Sequence, residues 1–171
     1  MNKILLGLIF SLLLVSSVTA QRVALVDVNG ILENLEDYQS AQNEIDAVAA
    51  QWRQEISQEF DKIKSMYNKY QAEQVLLSDE VRTEREEEIV AKEKQVRELQ
   101  KRRFGPEGDL FRRRQELVSP IQDQVYTAIE EFAKIKGYDI VLDKSSAAGL
   151  LYSSEEFDKT EEIKRELGIK N

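Results

Sequence analysis

Between residues 31 and 77 apolar side chains recur at helical spacing, and neither Pro nor Gly interrupts them. Tyr38, Ala41, Ile45, Val48, Trp52, Ile56, Phe60, Ile63, Tyr67 and Tyr70 follow one another at steps of three or four, 32 residues in nine steps. That is one face of an amphipathic α-helix. At ~1.5 Å per residue the run extends on the order of 65 Å, too long for the interior of a small domain. The helix must project. Two consecutive steps of four at 52–56–60 break a strict heptad and would unwind a supercoil locally.

The flanking segments carry other patterns. Val23 to Val28 is a short, nearly all-apolar run closed by Asn29-Gly30, which predicts a strand buried on both faces and then a turn. Leu77-Ser78-Asp79-Glu80 predicts the tip of a hairpin, with Ser78 capping a returning helix over about 79–136. Apolar residues on that helix (Val81, Ile89, Val96, Leu99, Phe104, Leu110, Phe111) are sparse before Leu117 and dense after it. The hairpin is therefore thinly packed along its shaft and better packed at its base. Lys134, Lys136 and Gly137 predict the helix end. Tyr138–Asp143 predicts a second strand, Ala148–Tyr152 a third, and Thr160 the cap of a last helix, Glu161–Leu167, stopped by Gly168.

The first 20 residues stand apart. Lys3 precedes an uncharged apolar core, Ile4 to Val15, and Val18 and Ala20 occupy the −3 and −1 positions before Gln21. This is the layout of a cleaved secretory signal, with a core shorter than the ~20 residues of a spanning helix. Residues 21–171 would then carry −9, 23 bases against 32 acids.

Composition narrows the chemistry. Without Cys or His the chain has no disulfide, thiolate nucleophile or imidazole base, and few routes to a metal site. No Gly-rich phosphate loop is present, and the remaining polar residues form no catalytic constellation. No enzyme activity, cofactor or metal is expected. A formal charge of −8 argues against nucleic acid as a partner.

The expected fold class is α+β: a long helical hairpin on a small β-body. Residues 21–30 and 118–171 form the body, and residues 31–117 the arm. Three short strands and one short helix bury little, and apolar strands leave open edges. Joining the sheets of several copies through Val23, Leu25, Val26, Ile140, Leu142, Leu150 and Tyr152 would answer both problems.

The strand Val23-Ala-Leu-Val-Asp-Val-Asn29, the long hairpin, Gly137-Tyr-Asp-Ile-Val-Leu-Asp-Lys144, Gly149-Leu-Leu-Tyr152 and Phe157-Asp-Lys-Thr160 together resemble the Skp/OmpH family of periplasmic chaperones. Pro120 in the returning helix also fits. The resemblance implies a homotrimer whose strands build a small barrel. Three coiled-coil hairpins then hang as tentacles around a cavity that holds unfolded outer-membrane β-barrel proteins without ATP. Two features depart from the family pattern. The tip, Glu73 to Glu88, holds seven acids against Arg82 and Arg85, where family members are often basic. Lys159 stands where an apolar residue more often lies. A membrane surface or lipopolysaccharide is a secondary candidate partner, and no lipid-binding residue carries over.

Three further features bear on function. The basic runs Lys101-Arg102-Arg103 and Arg112-Arg113-Arg114 are either an anionic contact or, as hairpin geometry favours, partners for the Glu55 and Glu44 regions of the acidic outgoing helix. Gly105 and Pro106 interrupt the returning helix and are candidate hinge residues. Trp52, Phe60, Met66, Tyr67, Tyr70, Phe104 and Phe111 either fill the coiled-coil seam or contact unfolded clients. A holdase fits this set best; the alternative is a structural coiled-coil spacer or adaptor of the cell envelope, which calls for a denser heptad.

Overall fold

The computed structural model describes residues 21–146 and 149–169. The expected signal segment, 1–20, and Ala148 of the expected third strand lie outside that range. The chain runs β1 (Val23–Val26), α1 (Val28–Leu32), α2 (Glu36–Glu73), α3 (Asp79–Phe104), α4 (Asp109–Lys136), β2 (Ile140–Asp143), a helical turn Glu155–Phe157, and α5 (Thr160–Glu166).

The arm is the hairpin of α2 with α3 and α4. α2 is continuous over 38 residues, about 57 Å, with Glu36 and Asp37 placed against its positive N-terminal dipole. Ser78 caps α3 as expected, its side chain accepting from the Val81 N–H. Gly137 ends α4 in the left-handed conformation (φ 70°), and Gly168 (φ 74°) follows α5.

The body differs from expectation at three points. Asn29 and Gly30 do not form a turn after the strand. The Asp27 carboxylate accepts from the Gly30 N–H at 2.8 Å and so caps α1, which ends the strand at Val26. Thr160 is the first residue of α5 rather than its cap. Its hydroxyl instead accepts from the Asp27 N–H (2.9 Å) and donates to Asp158 (2.6 Å). The third expected strand is absent among the described residues, where the sheet has only β1 and β2. The free side of β1 is occupied by Asp158 and Lys159, whose N–H donates to the Leu25 carbonyl at 2.8 Å, so residues 149–152 find no edge there.

β1 and β2 pair in parallel, Val23 opposite Ile140 and Leu25 opposite Leu142, with the whole arm as the crossover. Because side chains alternate, the sheet has two unlike faces. Val26 and Val141 point to a core of Ile31, Leu32, Val125, Ile129, Phe132 and Ile163. Val23, Leu25, Ile140 and Leu142 share the other face. β1 is buried on both faces as expected, Leu25 outward and Ala24 and Val26 inward, whereas the outward residues of β2, Ile140 and Leu142, are left exposed.

Two carboxylates fix the segments around the strand ends, Asp143 the start of α1 and the turn after β2, and Asp158 the approach to α5. Asp143 accepts from Ser145 Oγ (2.6 Å), Ser146 Oγ (2.7 Å) and the N–H groups of Ser145 and Val28. Burial pushes its pKa up, but these hydrogen bonds outweigh burial and hold it below the ordinary aspartate value. At Asp158 burial is likewise outweighed, by the Lys144 ammonium at 2.6 Å and by Thr160. Both depressed values stabilise the fold above the ordinary aspartate pKa, and that gain is lost as pH falls through the folded values. Thermal unfolding should therefore shift to lower temperature as pH falls from about 5 to about 2. Asp158→Asn should lower the midpoint at neutral pH and flatten this dependence; an unchanged pH profile would show that the Lys144–Asp158 pair adds nothing.

Candidate functional site

The arm is held by a narrow seam. On α2 the buried positions are Ala41, Ile45, Ala49, Ile56 and Ile63, and on the returning side Ile89, Val96 and Val118. Beyond Ala49 only every seventh residue of α2 is buried, so each pair of helical turns contributes one core side chain. The rest of the predicted stripe is half-buried at best. Phe60 (45% exposed) and Tyr67 (44%) lie seven residues apart on one side of the helix and remain open to solvent. Phe111 is exposed at a different height, on α4. Trp52 and Phe104 are half-buried and meet edge to face, their centroids 6.3 Å apart. Met66 and Tyr70 are half-buried at the tip, where with Leu77 and Ile89 they floor a cavity of about 170 Å³ rimmed by Lys69, Glu73, Arg85 and Glu88.

Polar pairs across the seam set its register. Arg113 bonds Glu44, Arg103 approaches Glu55 at 3.6 Å, Lys92 reaches Glu59 at 2.6 Å, and the Tyr70 hydroxyl donates to Glu86. One residue of each basic run, Arg103 and Arg113, thus meets the Glu55 and Glu44 regions of α2. Lys62 and Lys92 together hold the Glu59 carboxyl down to about 2. Bonding to the Glu86 carboxylate pushes the Tyr70 phenol above its usual value.

At Gly105 the returning helix does not kink but breaks. Gly105 is extended (ψ 168°), Glu107 is left-handed (φ 59°), and α4 restarts at Asp109. Side chains are excluded from both glycines: a Cβ at Gly105 would lie 2.3 Å from the Lys101 carbonyl oxygen, and one at Gly108 2.8 Å from that of Arg102. Arg103 spans the gap. It bonds Asp109 at 2.9 Å while its guanidinium stacks 4.5 Å from the centre of the Trp52 ring. α2 runs unbroken alongside. Arg103 and Asp109 were not singled out individually by the sequence, although the basic run and the Gly-Pro pair lay beside them.

The second open surface is on the body. The outer sheet face, with Leu150, Tyr152 and Phe157 beside it, forms an apolar groove of about 270 Å³ floored by Val23, Leu25 and Leu142. Ile140 (41%) and Leu142 (45%) are exposed, whereas Leu25 and Val26 are already buried within the chain. Tyr152 projects almost wholly into solvent. Among the described residues no His/Cys/Asp/Glu group could hold a metal, and no helix is long and apolar enough to cross a membrane.

A family model described as outer membrane protein (OmpH-like) matches residues 22–167. The chain belongs to the OmpH-like family of outer-membrane-protein chaperones. It is not an enzyme. Comparison with curated proteins gives no match. Among solved structures, an OmpH-like outer membrane chaperone candidate from Caulobacter crescentus CB15 is similar at a TM-score of 0.70 and 11% identity, over 87% of this chain and 85% of that one. At that identity the likeness shows the OmpH-like fold.

Within that fold, the broken helix is the feature with a local test. Replacing Gly105 and Pro106 with Ala removes the residues that permit the break, with a helix-propensity gain of roughly 1 kcal/mol for Gly and ~3 for Pro. Far-ultraviolet ellipticity of this variant should rise by about four residues' worth of helix, as α3 and α4 join. An unchanged spectrum with lowered stability would mean that the Arg103–Asp109–Trp52 cluster, not the Gly-Pro pair, imposes the break.

Proposed function

We propose that this OmpH-like chain is an ATP-independent holdase that binds unfolded outer-membrane proteins between its arms and carries them through the periplasm. The observation that carries this reading is the arm surface: a seam too thin to cover its own aromatics leaves Phe60, Tyr67 and Phe111 exposed. Such side chains offer weak, non-directional contacts to any apolar segment. Unfolded β-barrel strands present apolar residues at alternate positions. Repetition over several arms adds these contacts through effective concentration. A rigid spacer would have no use for this surface.

The container is a homotrimer. Its interface is the outer sheet face, with Val23, Ile140, Leu142, Leu150 and Tyr152 at the contact and Leu25 beneath them, closed as a barrel of strands from three copies. The arms widen at the Gly105–Gly108 break, where α3 and α4 lack a shared helical backbone. Leu142→Asp should leave helicity intact, since the side chain is half open in the single chain, yet convert the assembly to monomer by burying an unpaired charge at the interface. A trimer surviving this change would put the interface elsewhere.

Client capture rests on apolar contact more than on charge. The Debye length falls from ~10 Å at 0.1 M salt to ~3 Å at 1 M, which removes an electrostatic mechanism and spares an apolar one. The purified protein should keep a denatured β-barrel membrane protein soluble, with affinity falling less than about tenfold between these salts. Failure to keep it soluble would overturn the holdase reading. A loss of about a hundredfold would assign capture to charge instead.

A further inference from the structure

The arm tip combines an apolar surface with a charge deficit that the chain does not satisfy. Val75 and Leu76, adjacent in the turn, are each 86% exposed, and the cavity beside them is floored by Met66, Tyr70, Leu77 and Ile89. Around them residues 73–88 carry seven acids and two bases. Both bases are already engaged, Arg82 with Asp79 at 3.1 Å and Arg85 with Glu88 at 2.9 Å. Glu86 takes the Tyr70 hydroxyl. That leaves Glu73, on the cavity rim, and Glu80, Glu84 and Glu87, spaced i, i+4, i+7 on α3, with no cation within 4 Å among the described residues.

We infer that the tip is a docking site for basic, apolar stretches of unfolded polypeptide. Apolar side chains would lie on Val75 and Leu76 and enter the cavity, while Lys or Arg between them would meet the unpaired carboxylates. A wholly apolar segment would leave those charges as they are, and an acidic one or an anionic membrane would be repelled. The site rests on the holdase reading for its clients and adds a selectivity: the tips engage cationic segments first, and the neutral aromatic surface of the shaft, Phe60 and Tyr67, takes whatever follows.

The test uses two fluorescent peptides of alternating Leu and Tyr with polar positions, one carrying Lys at those positions and the other Glu. At low salt the protein should bind the Lys peptide about tenfold tighter, the yield of two or three exposed ion pairs. Glu73→Gln/Glu80→Gln/Glu84→Gln/Glu87→Gln should reduce that preference below about threefold. Val75→Ser/Leu76→Ser, at two solvent-exposed turn positions that the fold does not need, should weaken both peptides and leave their ratio unchanged. Equal affinities for the two peptides, or a preference that survives the Gln changes, overturns the proposal. So does binding of phosphatidylglycerol vesicles that is lost in Val75→Ser/Leu76→Ser, which would make the tip a membrane contact. Solubility of a denatured β-barrel protein, followed alongside, separates the two readings. Protection without a peptide preference overturns the tip assignment alone, and a preference without protection overturns the holdase alone.

Discussion

Two parallel strands of four residues cannot bury an apolar sheet, and the rest of the molecule is arranged around that shortfall. α1, α4 and α5 cover one face, and on the other Leu25 is buried while Ile140 and Leu142 stay exposed. The hydrogen-bonding edge of β2 is likewise open among the described residues. A chain without Cys has no disulfide to stabilise so small a body. Closure by further copies meets both needs at once, and it would fix the arms in a common direction because every arm leaves the sheet as the β1–β2 crossover.

The arm follows an opposite logic. Its seam is filled densely only near the base, where Ala41, Ile45 and Val118 cluster, and narrows outward to Ile56, Ile63 and Val96. Polar pairs such as Arg113–Glu44 and Lys92–Glu59 then do more for register than for stability, since exposed pairs are worth ~0–1 kcal/mol each. A thin seam has two consequences. It leaves aromatic surface uncovered, and it makes the break at Gly105–Gly108 tolerable, because α2 continues past it as an uninterrupted support. Stability is concentrated in the body and contact surface in the arm.

How much of this was legible in the sequence depends on how local each signal is. The long helix, its tip and its stop were readable because periodicity, Ser78 and Gly137 act within a few residues. The family likeness was readable for the same reason, from short strand motifs. The third strand was misread because the strand character of Leu150-Leu151-Tyr152 does not by itself bring about pairing: beside β1 the place goes to Asp158 and Lys159, and the edge of β2 stays unpaired among the described residues. Thr160 was misread because its hydroxyl serves a backbone group 133 residues away. The stripe from Tyr38 to Tyr70 predicted the helix correctly but not which members face the seam, since one period describes both a core and its flanks. The tip surface at Val75 and Leu76 was missed altogether, because both residues were read as the end of the outgoing helix, which in fact stops at Glu73.

The central claim is that the open side of the sheet is completed by other copies of the chain. In the parallel pair, the N–H groups of Ile140 and Lys144 donate to Arg22 and Val26, so by alternation those of Val141 and Asp143 point away from β1. Residue-resolved hydrogen exchange of the purified protein addresses these two amides directly. If the sheets are joined, both should exchange slowly, as strand-interior amides do, and should lose that protection in Leu142→Asp. Exchange of Val141 and Asp143 at the rate of a free peptide in the parent protein would contradict the account.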